Sequence, residues 1–195
     1  ITGVAHALQA SIVNVFRPSY TATESILSMP MTSTAGDNPG TQNQLGYYYG
    51  SAAMNGGNGE YSLNPNGTYA NAGWKATDAR KQIIVVAGTK LWVNKYPGVA
   101  PFTDWAPVIR YSEVLLTLAE AITRSTNTVD ARAIALLNAV RGRSDATTVF
   151  TAADFANANA LADAILLERR IELMAEGFAG FDLTRLGLPL PAKPG

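Results

Sequence analysis

Apolar positions follow a clear period in the second half of this chain and almost none in the first. From residue 108 onward the period is helical. Val108, Tyr111, Leu115, Leu118 and Ile122 recur at three and four, which predicts one helix with a single inward stripe. Ile134, Leu137 and Val140 mark the next helix. Asn127 or Thr128 is its expected cap, Asp130 suits its positive first turn, and Gly142 loosens its end. Thr151 is expected to cap a short turn. Leu161, Ala164, Leu167, Ile171 and Met174 predict a long helix over 158–176 that stops at Gly177, and 178–186 reads as a last short helix. Two such helices joined by a few residues form an antiparallel pair, the shape of one helical-repeat unit.

The first half is less regular. Val4, Leu8, Ile12 and Val15 predict a leading helix over 4–16, stopped by Pro18. Residues 24–29 read as a short strand closed by Pro30. The stretch 36–73 is rich in Asn, Gly and Tyr, residue types that favour turns, and reads as loop with a few short strands. Residues 82–88 form a β-branched run ended by Gly88. Leu91-Trp92-Val93 follows as a hairpin-like partner, and 95–98 as a turn.

Composition narrows the chemistry. Of the 30 charged residues only Arg17, Glu24, Asp37 and Glu60 lie before residue 74, so the two halves differ in surface as well as in period. Fifteen Lys and Arg balance fifteen Asp and Glu, which argues against nucleic acid as a partner. With no cysteine, thiolate metal sites and thiol nucleophiles are excluded, and with one histidine, His6, so is any site of two histidine ligands. No apolar run approaches the roughly 20 residues of a spanning helix. The chain starts at Ile1 and ends in an extended segment, so the expectation is a piece of a longer protein.

Four blocks carry a resemblance. Arg110-Tyr111-Ser112-Glu113-Val114-Leu115-Leu116 with Ala119-Glu120-Ala121 resembles the R-Y-x-E-V-L-L…A-E-A signature of the SusD/RagB family. Asn138-Ala139-Val140-Arg141-Gly142-Arg143 resembles its N-x-V-R-x-R segment. Glu168-Arg169-Arg170-Ile171-Glu172-Leu173, Glu176-Gly177 and Asp182-Leu183-Thr184-Arg185 resemble its E-R-R-x-E-L…E-G…D-L-x-R run, and Thr77-Asp78-Ala79-Arg80 resembles a weaker block. The resemblance covers about residues 77–190. Phe178-Ala179-Gly180 and Leu186 depart from it, standing where the family often has arginine with an aromatic, and tryptophan.

The resemblance implies a mainly α, SusD-like fold, with TPR-type helix pairs packed against an irregular loop-rich portion carrying a few short strands. It implies a loop-rich, glycan-binding portion with a leading helix over 1–107 and a helical signature region over 108–195, in one continuous domain. It further implies a surface lipoprotein of the outer membrane in Bacteroidetes-type bacteria, its anchor outside this sequence. Such a protein caps a SusC-like TonB-dependent transporter and captures its nutrient, usually a glycan. A RagB-like peptide-binding protein and a helical-repeat adaptor with protein partners remain alternatives.

Two sets of residues compete as the functional site. Glu168 and Glu172 share a helix face, as a glycosidase's paired carboxylates must. Arg141, Arg143, Arg169 and Arg170 favour ion pairing instead, as do Arg110 with Glu113 and Glu120 with Arg124, so no catalytic residue is assigned. The aromatics of 36–74 are the better candidates, because a sugar ring stacks its C–H face on an aromatic plane while amide side chains bond its hydroxyls. Tyr48, Tyr61, Tyr69, Trp74, Asn66 and Asn71 are the expected ligand contacts, with Tyr47, Tyr49, Asn43, Asn55, Asn58 and Asn64 nearby. Trp92 reads as core. Asp37-Asn38 and the Asn64–Gly67 turn offer oxygen ligands, but their spacing fits no EF-hand loop, and neither metal nor cofactor is expected.

Overall fold

The computed structural model describes residues 5–34 and 44–190. Val4, Asp37-Asn38 and Asn43 lie outside them.

Three long helices form one side of the molecule: α3 (Tyr111–Thr126), α4 (Ala131–Ser144) and α5 (Ala158–Glu172), the first packed on both others. Their shared core holds Leu116, Ala119, Ala133, Leu137, Val140, Leu161 and Ile165. Asp130 caps α4, its Oδ1 accepting from the amides of Arg132 and Ala133 at 2.8 and 3.0 Å. Asn127 instead ends α3 at a φ of 51°, and Gly142 does not break α4. Thr151 caps a short 3-10 turn, its side chain and that of Asp154 forming a reciprocal box.

The N-terminus of α3 departs from the periodic reading. Residues 106–110 are a strand, β4 (Ala106–Arg110), antiparallel to β1 (Ser25–Met29) with Met29 opposite Ala106. Pro107 disfavours helical backbone at the residue before it. With the helix starting at Tyr111, its buried stripe is Ser112, Leu116, Ala119, Glu120 and Thr123. Leu115 and Ile122 pack at the margin of the core and Leu118 lies at the surface, 36% exposed. Three members of the true stripe are polar, and Glu120 pairs with Arg124 and Arg185. The Thr123 hydroxyl donates to the Ala119 carbonyl at 2.9 Å, and the Ser112 hydroxyl accepts from Arg110 at 2.6 Å.

The leading helix is likewise shorter than its pattern. Only Ile12–Phe16 is helical, as one 3-10 segment capped by Ser11. Residues 5–11 run beside 23–24 instead, where the Gln9 amide donates to Glu24 at 2.9 Å and His6 meets the Thr23 carbonyl at 3.1 Å. The loop stretch holds no regular strand among its described residues. It contains α1 (Leu45–Tyr49), α2 (Ala52–Asn55) and a 3-10 turn over Thr68–Ala70. The hairpin expected after it forms, with β2 (Ile84–Ala87) paired to β3 (Lys90–Val93). Trp92 is core, as expected. The last helix is α6 (Phe178–Arg185), entered through Gly177 at a φ of 87° that favours glycine. No described helix is long and apolar enough to cross a membrane.

A buried ion network joins the halves. Glu172 accepts from Arg110 at 2.9 Å, Arg80 at 3.0 Å and Arg143 at 2.5 Å. Arg110 continues to Glu24 at 2.6 Å and Glu176 at 2.7 Å, and Arg143 also reaches Glu24 at 2.9 Å. Arg80 lies 2.6 Å from Asp78 and 2.5 Å from Glu168, and Arg141 lies 3.3 and 2.6 Å from the same two carboxylates. Lys95, in the turn expected over 95–98, is fully buried. It donates to the carbonyls of Glu172 and Met174 at 2.9 and 2.8 Å and to the Glu176 carboxylate. It thereby satisfies carbonyls left free where α5 ends, at Glu172 and not at 176. Burial pulls the Lys95 ammonium down to about 8, with Glu176 opposing.

Leu116→Ala is expected to cost about 2–5 kcal/mol and Leu115→Ala clearly less, read from urea unfolding. Acid is expected to destabilise the protein through two carboxyls. Burial pushes Glu172 up, but Arg143, Arg110 and Arg80 outweigh it and hold it well below the usual range. Burial is likewise outweighed at Asp145, where the hydroxyls of Thr147, Thr148 and Thr77 and the amide of Thr147 bring it to about 2. Folded values below unfolded ones mean stability that is complete above the unfolded values near pH 4 and declines as pH falls through the folded ones. Glu172→Gln, which leaves three guanidiniums short of a charge, is expected to lose about 3–5 kcal/mol at pH 7 and to flatten the acid limb of a melting-temperature profile.

Candidate functional site

The motif carboxylates and the loop aromatics end in opposite environments. Glu168 and Glu172 are fully buried, clamped by arginines as described, and neither lines the two hollows described below. Arg110 ignores Glu113 for the buried network, whereas Glu120 does pair with Arg124, at 2.7 Å, and with Arg185 at 2.6 Å.

The aromatic loop is organised by α1. Its three consecutive tyrosines are about 100° apart around the helix axis and so reach three neighbours. Tyr47 meets Phe102 at a ring-centroid distance of 5.4 Å, Tyr48 meets Tyr61 at 5.9 Å, and Tyr49 meets Tyr96 at 6.0 Å and Tyr61 at 5.8 Å. Tyr61 is 51% exposed, so its ring and the half-buried Tyr48 offer an accessible aromatic edge. Asn55 holds this platform from beneath. Its Nδ2 donates to the carbonyls of Gly46 and Gly98 at 2.9 and 3.1 Å. Gly50 must be glycine here, since a Cβ would lie 2.1 Å from the Asn55 amide oxygen.

Beside the platform lies an open cavity of about 460 Å³ between the 63–69 turn and the C-terminal part of α5 with α6. Tyr49, Leu63, Tyr69, Met174 and Leu183 give it apolar walls; Asn64, Thr68, Arg169, Arg170 and Asp182 add polar ones. Tyr49 thus belongs to both the cavity and the aromatic row. A second hollow of about 410 Å³ lies across Arg170, lined by Asn71, Asp163, Leu167 and Leu188.

The expected contacts therefore separate. Tyr48 and Tyr61 sit together, Tyr69 walls the cavity, Asn66 is exposed on the adjoining turn, and Asn71 faces the second hollow. Trp74 is the correction. It is 3% exposed, packed among Ile83, Ile171 and Met174, with Tyr69 edge-on at 5.7 Å and the Lys81 ammonium 4.3 Å from its ring. No face of the indole is left for a sugar. The asparagines are also more structural than their number implied. Asn55, Asn58, Asn64 and Asn71 each accept, through Oδ1, the amide two residues on, at 2.9–3.1 Å. This is the Asx turn, and it shapes the loop backbone.

Arg170 is the cavity group that motif reading missed. Arg169 pairs with Asp182 at 3.0 Å. One position along the helix, Arg170 turns away from that partner, a divergence the 3.6-residue period does contain.

A model of the SusD family matches residues 31–190. Solved structures share the fold. A SusD superfamily protein from Bacteroides fragilis is 30% identical over 94% of this chain and 41% of its own, with a TM-score of 0.76. One from Bacteroides vulgatus is 24% identical over 98% and 43%, with a TM-score of 0.74. Surface glycan-binding protein A from Bacteroides thetaiotaomicron, in complex with laminarihexaose, is 16% identical over 95% and 47%, with a TM-score of 0.69. The chain spans less than half the length of each. No curated protein sequence matches it.

Trp74→Ala is expected to lower stability by about 3–5 kcal/mol. Tyr61→Ala is expected to stay within about 0.5 kcal/mol of the parent. Thermal and urea unfolding of the two variants separate core from platform.

Proposed function

Because the chain belongs to the SusD family, we propose that it is the non-enzymatic glycan-binding subunit of a TonB-dependent outer-membrane uptake complex, displayed at the cell surface on a lipid anchor with a SusC-like transporter as partner. The observation that carries the glycan reading is the accessible Tyr48–Tyr61 edge leading through Tyr49 into an aromatic-walled cavity. A pyranose has apolar faces for such rings and an equatorial rim of hydroxyls for the surrounding amide and hydroxyl groups. The volume lies within the roughly 300–1,000 Å³ of small-ligand sites. The fold shared with a relative crystallised on laminarihexaose supports the same reading.

In this proposal the helices are the frame. Their motif carboxylates are neutralised by guanidiniums and withheld from solvent, an environment that suits neither a proton donor nor a nucleophile. Capture then rests on Tyr48, Tyr61 and Tyr69, with Asn66 and Asn71 on neighbouring turns as polar contacts.

Calorimetry of the protein against neutral and acidic oligosaccharides and against peptides tests this. A stacked ring contributes about 0.5–1.5 kcal/mol beyond its burial, so Tyr61→Ala is expected to weaken glycan binding several-fold at unchanged melting temperature. Binding of peptides alone would replace the glycan reading by peptide capture. Hydrolysis of a glycan, abolished in folded Glu168→Gln, would overturn the non-enzymatic one.

A further inference from the structure

The charges around the cavity define a narrower ligand class. Its wall holds three charged residues. Asp182 is engaged by Arg169 at 3.0 Å, so these two cancel, and Arg185, which also reaches Asp182 at 2.9 Å, is matched by Glu120 at 2.6 Å. Arg170 remains. It is half-buried, and among the described residues it forms no ion pair. Asp163, two turns earlier on α5, lines the second hollow with Arg170 but is exposed and makes no ion pair with it.

The uncharged polar groups of the wall reinforce that sign. The Asn64 side-chain oxygen accepts from the Asn66 amide at 2.9 Å, which leaves its Nδ2 as the donor available to a ligand. The Thr68 hydroxyl sits one residue before Tyr69 on the same wall. A guanidinium, an amide donor and a hydroxyl, set among Tyr49, Tyr69 and Met174, match a ring that carries an anionic group.

We infer that this cavity takes a negatively charged glycan unit, a sugar bearing a carboxylate or a sulfate ester, with Arg170 as the anion-binding residue. The inference rests on the glycan reading above and adds the class of sugar. A neutral ring would cover Arg170 and strip its water while offering no charge in return. A carboxylate or sulfate meets the planar fork of the guanidinium with two parallel hydrogen bonds. The apolar walls strengthen that contact by lowering the local dielectric.

The test is calorimetry with three oligosaccharide probes: a polygalacturonate for the carboxylate, a sulfated galactan for the sulfate ester, and a laminari-oligosaccharide as the neutral control. At least one acidic probe is expected to bind at least about tenfold more tightly than the neutral one, and the acidic probe that binds identifies the source of the charge. Arg170→Gln is expected to reduce that affinity to the neutral level. Added sodium chloride is expected to weaken acidic binding and leave neutral binding nearly unchanged, a comparison that needs no variant and decides the matter should Arg170→Gln fail to fold. Equal affinity for acidic and neutral probes, or acidic binding indifferent to both salt and Arg170→Gln, overturns this inference and leaves the glycan reading standing. Binding of peptides with no glycan bound overturns the glycan reading and this inference with it.

Discussion

Glu172 is the point on which the structure closes. Its carboxylate takes guanidiniums from the segment before α3, from α4, and from the 3-10 turn ahead of the hairpin. Extended through Glu24, Asp78, Glu168, Glu176, Lys95 and Arg141, the network sets five acids against five bases, almost entirely out of water. Buried charges are tolerated only when each finds a partner, so the network closes only if every contributing segment is in register. The loop-rich portion supplies Glu24, Asp78, Arg80 and Lys95; the helical portion supplies the rest. This is how a first half with little periodic core of its own is fixed to a helical frame.

The same pairing separates frame from surface. Side chains that the motif blocks make prominent are consumed by the interior, and the groups left for a ligand come from the loop and from the outward side of α5. The loop achieves order with little apolar periodicity by two means. Asx turns at Asn55, Asn58, Asn64 and Asn71 set its backbone. Tyrosines packed on one another, and on Tyr96 and Phe102, form a small core of their own. What remains exposed is an aromatic edge on a rigid support, which lowers the entropic cost of binding.

The cavity itself arises from the way α5 ends. Lys95 takes the carbonyls of Glu172 and Met174 where the helix stops. The left-handed residues Ala175 and Gly177 then reverse the chain into α6. That corner faces the 63–69 turn and leaves the space between them. A helix continued to residue 176, as its apolar period predicts, would end elsewhere.

The sequence by itself determined the family, through four spaced blocks, and the mainly α frame, through the stripes at 134–140 and 161–171. It also determined the β2–β3 hairpin, whose β-branched runs need only local pairing, and that an arginine of 141 or 143 would pair with a glutamate of the next helix; which arginine meets which glutamate came from the structure. Tertiary structure decided whatever depended on a distant partner. Residues 106–110 became a strand because 25–29 lies beside them. The α3 stripe shifted because Ser112 and Thr123, polar in any hydropathy pattern, are satisfied internally. Trp74 became core because Lys81, Ile171 and Met174 close over it, while Tyr61, of similar character in the sequence, stayed at the surface. Periodicity records which face of an element is apolar; which polar groups find partners, and which aromatics find neighbours, is settled only when segments far apart in the chain meet.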